Sequence, residues 1–224
     1  SSNWKEGYGY TVATEMYSAG IDRLTHQPLS FSVSETTEGV HIHIIDAELM
    51  GKGEKEKKDL YIEGVQNNGI INHYEYIINS EGTIEIRHVL KPEGKMPLWF
   101  PRIGLTLTVS DALDQVKWYG RGPQENYPDR KTGYPMGIYA STVQAMYEPY
   151  LMPQDYGLRT DVRWLQLTTD KGIGLQFKMN EWFNFNIYPY STDNLTKAMY
   201  TYQLQKQKGM TLNLDYATTG VGCT

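Results

Sequence analysis

The chain has 224 residues with 40% apolar content and a formal charge of -5, enough to bury a sizeable core and to make one large β-rich domain over residues 1–224 the first expectation. The acidic balance argues against a nucleic-acid partner, which wants a basic face. No run of about 18 apolar residues is present to span a bilayer as a helix, so the chain as given reads as soluble, with neither bacterial cytoplasm nor periplasm selected.

Taken in order, the sequence keeps returning to a period of two. Val40, Ile42 and Ile44 alternate with His41 and His43, a strand with one buried face. The histidines project the same way and offer two nitrogens to a metal, but no third ligand is evident, since His26, His73 and His88 are scattered. A surface or cross-strand pair is the simpler reading. "GKGEKEKKD" (51–59) contains no apolar residue and reads as a solvated hairpin tip. "TIEIRHVL" (83–90), Ile103 to Val109, "WLQLTT" (164–169), "GIGLQFKM" (172–179), Phe183 to Ile187 and "MTLNLDY" (210–216) are further strands. Asn67-Asn68-Gly69, Ser80-Glu81-Gly82, Asp170-Lys171-Gly172 and Gln207-Lys208-Gly209 supply turns, the third closing a hairpin. "STDNLTKAMYTYQL" (191–204) is the single plausible helix, capped by Thr192 or Asp193, with Leu195, Ala198, Met199 and Tyr202 on one face. Strands that do not alternate with helices exclude a (β/α)8 barrel, and the expected architecture is an antiparallel sandwich.

One segment concentrates chemistry. "WYGRGPQENYPDR" (118–130) holds Trp118, Tyr119, Arg121, Glu125, Asn126, Tyr127, Asp129 and Arg130. Glu125 and Asp129 invite comparison with the paired carboxylates of a glycosidase. The flanking Arg121 and Arg130 would hold a carboxylate ionised, which opposes a general-acid role. The residues therefore favour internal bracing over a ligand site, and truncating Arg130 is expected to strand a carboxylate. The alternative is a carbohydrate-binding module that stacks sugars on Trp118, Tyr119, Tyr147 and Trp164. No Gly-x-Ser-x-Gly occurs, and Cys223 alone supports neither a nucleophile nor a disulfide.

These stretches, with "MYEPYLMPQDYGLRTDVRWLQL" (146–167, which includes Arg159) and "FPRIGLTLTV" (100–109), resemble the C-terminal domain of the large bacterial β-galactosidases of glycoside hydrolase family two. The resemblance implies an all-β antiparallel β-supersandwich of galactose-mutarotase-like topology with at most one short helix, serving as an accessory wall of the active-site cleft. It places the catalytic glutamates, and any divalent metal, in a barrel domain, so no catalytic residue, cofactor or metal is expected in this chain. Trp118, Tyr119, Glu125, Asn126, Tyr127, Asp129, Arg130, Arg159 and Trp164 stand as sugar-contacting or bracing candidates. Relative to the family both ends look trimmed: an early acidic motif is not found before Trp4, and the sequence stops before a tryptophan that reaches the galactoside pocket. The implied partners are the parent's other domains and its galactoside substrate, with self-association expected from unpaired strand edges. A mutarotase-type epimerase is a rival reading, weakened because Tyr200 and Tyr202 stand where some relatives have histidine.

Overall fold

A computed structural model describes residues 19–51, 68–97 and 100–219. The charged stretch 52–59, Asn67, Trp4 and Cys223 lie outside the described residues. The strands fall into two compact units, one ending before Phe100 and one beginning there.

The first unit is a meander of four antiparallel strands in the order β1-β2-β3-β4: β1 Thr25–Thr36, β2 Gly39–Leu49, β3 Gly69–Ile78 and β4 Ile84–Glu93. Alternation places Phe31, Ile44, Tyr74 and His88 in one cross-strand row and Ser32, His43, Glu75 and Arg87 in a row on the opposite face. The expected β2 strand is present, but its histidine face is not simply solvated: the His41 side chain is only 14% exposed. The Ser80-Glu81-Gly82 turn forms as expected. Gly82 adopts φ 82°, and the Asn79 side-chain oxygen accepts from the backbone N–H groups of Glu81 and Thr83. Gly69 is a paired strand residue rather than a turn residue, set against Leu49 and Glu93.

The second unit is a six-stranded antiparallel sheet. Its strands are β5 Arg102–Val109, β6 Gln115–Arg121, β7 Met136–Thr142, β8 Arg159–Thr168, β9 Gly174–Tyr188 and β10 Met210–Thr218. They lie in the order β5-β10-β9-β8-β6-β7. β8 and β9 are the expected hairpin, closed at Gly172 with φ 79° and by the Thr169 N–H bond to the Ile173 carbonyl. Val116 and Trp118, Leu165 and Leu167, Phe183, Phe185 and Ile187, and Leu212 and Leu214 build one buried core, with Trp118 edge-on to Phe185. The all-β antiparallel class holds.

The expected helix is shorter than its sequence pattern. α1 spans Thr192–Lys197, and Ser191 is its cap, accepting from the Asn194 N–H at 3.1 Å. Leu195 and Ala198 are buried as expected, whereas Met199 and Tyr202 are exposed. Two amides stop the helix. The Gln203 side chain accepts from the N–H groups of Met199 and Tyr200, and the Asn194 side chain accepts from that of Gln205, so the chain turns back instead of winding on.

Leu212 has no exposed surface and sits on β10, paired on both sides by β5 and β9. Leu212→Ala should lower unfolding free energy by about 2–5 kcal/mol. Ile138→Ala, on the edge strand and 62% exposed, should change it by about 0.5 kcal/mol or less in the same denaturant titration.

Candidate functional site

β6 separates residues that the sequence places side by side. Trp118 points into the core, fully buried, and its indole N–H donates to the Arg121 carbonyl at 3.0 Å. It cannot stack on a sugar, because no ring face reaches solvent. Tyr119 points to the other face, opposite Trp164 on β8 and Ile138 on β7, and is 37% exposed. Tyr147 packs edge-on against Tyr156.

Beyond β6 the chain turns back on itself through a segment held by one carboxylate and one amide. Glu125 is buried and accepts from the Arg130 guanidinium, from the Tyr150 hydroxyl and from the Gly157 N–H at 2.8 Å. Burial, reinforced by the bond to Glu125, pushes the Tyr150 phenol up to about 12. Asn126, fully buried, accepts from the N–H and hydroxyl of Thr160, donates to the Gln124 carbonyl, and bonds the Leu158 carbonyl through its own N–H. Tyr127 and Arg130 close a tight turn, with the guanidinium 4.9 Å above the Tyr127 ring. Asp129 sits exposed at its tip, and among the described residues it forms no ion pair. Glu125 and Asp129 are therefore not a catalytic couple: one is buried in donors and the other faces solvent.

Three further cations complete the corner. Arg159 is 3% exposed, lies 5.4 Å over the Trp118 ring and donates to the Gly157 carbonyl. Burial pulls its guanidinium down to about 10, against the opposing charges of Glu125 and Glu148. Asp161 adopts a left-handed φ of 55°, tolerated more readily by Asp than by most residues, where β8 shifts register against β9. Its carboxylate takes Arg121 Nε at 2.5 Å and Lys131 Nζ at 2.9 Å. Burial acts to raise its pKa, but these two cations outweigh it and hold Asp161 below the usual carboxylate value.

A second polar cluster is not among the site residues the sequence singled out. Asn186 and Asn213 are directly paired across β9 and β10, both buried, and the Asn213 amide donates to the Asn186 side-chain oxygen at 2.8 Å and to the Tyr188 hydroxyl at 3.0 Å. Thr106 on β5 donates to Asn213, and the Asn186 amide donates to Asp155 and to the Tyr156 carbonyl. Arg102 reaches both Asp155 at 3.5 Å and Asp215 at 3.0 Å. Asp215 is 1% exposed, and its contact with Arg102 is close in distance but poorly aligned for a hydrogen bond. Burial raises its pKa to about 7 against the pull of Arg102. The signal was the repeated spacing of polar residues between apolar ones, Asn184 and Asn186 on one strand and Asn213 and Asp215 on the next.

Comparison with known families settles the lineage. The β-galactosidase small-chain family matches residues 6–224. The chain belongs to that family. It is 38% identical to a β-galactosidase of Priestia megaterium over 147 residues, covering 66% of this chain and 14% of that enzyme. It is 31% identical to a β-galactosidase of Vibrio cholerae over 207 residues, 92% of this chain and 18% of the relative. A Pseudoalteromonas haloplanktis β-galactosidase is 34% identical over 148 residues, 66% of this chain and 14% of the relative. The small-chain sequence thus spans less than a fifth of the length of these relatives.

The corner geometry predicts an asymmetry between partners. The Arg130 side chain is 48% exposed, and without it Glu125 keeps the donors of Tyr150 and Gly157, so Arg130→Ala should cost about 1 kcal/mol or less. That is milder than the sequence suggested, because the guanidinium remains half in water. Glu125→Ala strands a backbone N–H and a hydroxyl at once and should cost about 2–4 kcal/mol. Denaturant midpoints of the two variants check the order.

Proposed function

We propose that this chain is an accessory and structural domain of a β-galactosidase, forming a wall of the active-site cleft in the full-length enzyme and inactive alone. The observation that carries this reading is the family match along nearly the whole chain, set beside its coverage of only 14% to 18% of the relatives. In this reading the parent hydrolyses terminal β-D-galactosides with retention, and the chain's partners are the parent's other domains and that galactoside.

The carboxylates support the non-catalytic half of the reading. Glycoside hydrolysis needs an acid and a nucleophile or base facing one substrate. Glu125, Asp161 and Asp215 each lie within reach of an arginine and are at most 7% exposed. The donors around Glu125 and Asp161 hold strands and turns together. No helix among the described residues is long and apolar enough to cross a membrane.

One feature favours a sugar-binding role for the isolated chain. Tyr200 and Tyr202 are stacked 5.4 Å apart with an interplanar angle of 7°, and they are 55% and 79% exposed. Flat exposed aromatic rings suit the apolar face of a galactose ring. Titration of galactose and lactose against intrinsic fluorescence distinguishes this reading, by saturable change in the parent chain that is lost on Tyr202→Ala.

The purified chain should release no chromophore from a chromogenic β-galactoside above the buffer rate. Hydrolysis that follows the protein peak through purification, and persists after removal of host enzyme, contradicts the accessory reading.

A further inference from the structure

The polar face of the four-stranded unit holds a cluster that a structural role in a galactosidase does not require. On β2 and β3, His43 is directly opposite Glu75, and His41 lies two residues from His43 on the same face. His41 Nδ1 is 3.7 Å and His43 Nε2 3.8 Å from the same oxygen, Glu75 Oε1, and the three ligand atoms lie within 4.8 Å of one another. These separations are too long for hydrogen bonds. They approach the spacing of about 3.3 Å between ligand atoms that metal bonds of about 2.0 Å give in a tetrahedral site, so small side-chain rotations bring the three atoms around one ion.

The surroundings orient the ligands. Arg87 Nη1 donates to the other oxygen, Glu75 Oε2, at 3.1 Å, which leaves Oε1 turned toward the imidazoles. His41 Nε2 is buried with no hydrogen-bond partner, and Glu38 Oε2 lies 3.9 Å beyond it, the carboxylate–histidine order found behind metal-binding rings. The His41 side chain is 14% exposed and that of His43 50%, so the cluster has a closed wall and an open side where water completes a fourth position. A plain ion pair of either histidine with Glu75 leaves these distances longer than a hydrogen bond. An ion between the three lone pairs accounts for their convergence.

We propose that His41, His43 and Glu75 bind one borderline divalent transition ion of the Zn2+ class and thereby clip β2 to β3. Two imidazoles and one carboxylate suit Zn2+, Cu2+, Ni2+ or Co2+, whereas Mg2+ and Ca2+ select oxygen ligands. The other grouping on this sheet, His26 with Asp46 and Glu48, is a weaker candidate: the His26 ring is 63% exposed and already within hydrogen-bond distance of Asp46 at 3.1 Å.

The test uses the full 224-residue chain, stripped with a chelator and titrated with Zn2+ by calorimetry and with Co2+ by visible absorption. One ion per chain should bind, Co2+ should give the intense bands of a tetrahedral site, and saturating Zn2+ should raise the melting midpoint by about 5 °C or more. His43→Gln and Glu75→Gln should each weaken binding by about 100-fold or more, since loss of even an orienting partner costs about 10–100-fold. His26→Gln should leave it unchanged. Absence of saturable binding, full affinity retained in both ligand variants, or loss confined to His26→Gln overturns the proposal. Nuclear magnetic resonance of the unsubstituted chain tests the same site even where a variant fails to fold. Zn2+ should shift the ring signals of His41 and His43 and spare those of His26, His73 and His88, and any other pattern refutes the site.

Discussion

A polar group inside a sheet is tolerated only when its hydrogen-bonding atoms find partners, because the buried group has lost its water. That constraint governs the six-stranded sheet where β10 and the last residues of β9 bury both faces. Apolar Leu212, Leu214, Phe185 and Ile187 fill one face, and on the other Asn186, Asn213, Tyr188 and Asp155 hydrogen-bond one another while Asp215 has only the charge of Arg102 beside it. The loop through Tyr156 and the region of Tyr188 and Leu195 pack over this polar face. The β9–β10 pair is thereby fixed in register by side-chain amides as well as by its ladder, since Asn186 and Asn213 match only when paired directly.

The same logic recurs at the corner after β6. Glu125 gathers a guanidinium, a phenol and a backbone N–H from three separate stretches of chain, and Asp161 gathers Arg121 and Lys131 at an irregular point of β8. A carboxylate held this way is a poor proton donor and an effective clamp. The segment that reads most like an active site is thus chemically committed to holding the domain's shape.

Much of this fold was legible in the sequence because period-two alternation reports strands directly. Ile103 to Val109, the hairpin around Gly172 and the strand at Met210 all stand where the pattern puts them. β1 was hidden by Pro28 and its serines, and β6 by the density of charge beside it. The bracing of Glu125 by Arg130 could be read from adjacency, whereas Tyr150 and Gly157 arrive from 25 and 32 residues away. No local pattern announces such partners. Asn186 and Asp215 went unrecognised for a related reason: alternation marks one face as apolar but does not say whether the other is solvated. Glu75 joins His41 and His43 only through strand pairing, so the third ligand was invisible to a reading of β2 alone.

The most direct test of buried polar bracing follows Asp215. Its folded pKa of about 7 lies above the unfolded value near 3.8, because burial outweighs Arg102. A raised carboxyl pKa contributes stability that is complete below the unfolded value and lost as pH rises through the folded one. Unfolding free energy measured from pH 4 to 9 should therefore show a loss between about pH 4 and 7, on the order of 4 kcal/mol, in the unsubstituted chain relative to Asp215→Asn. Asp161, held below the usual value, is common to both proteins and cancels in the difference. Parallel pH profiles for the two proteins would contradict the account, since they would mean that Asp215 is not a buried carboxyl within the bracing network.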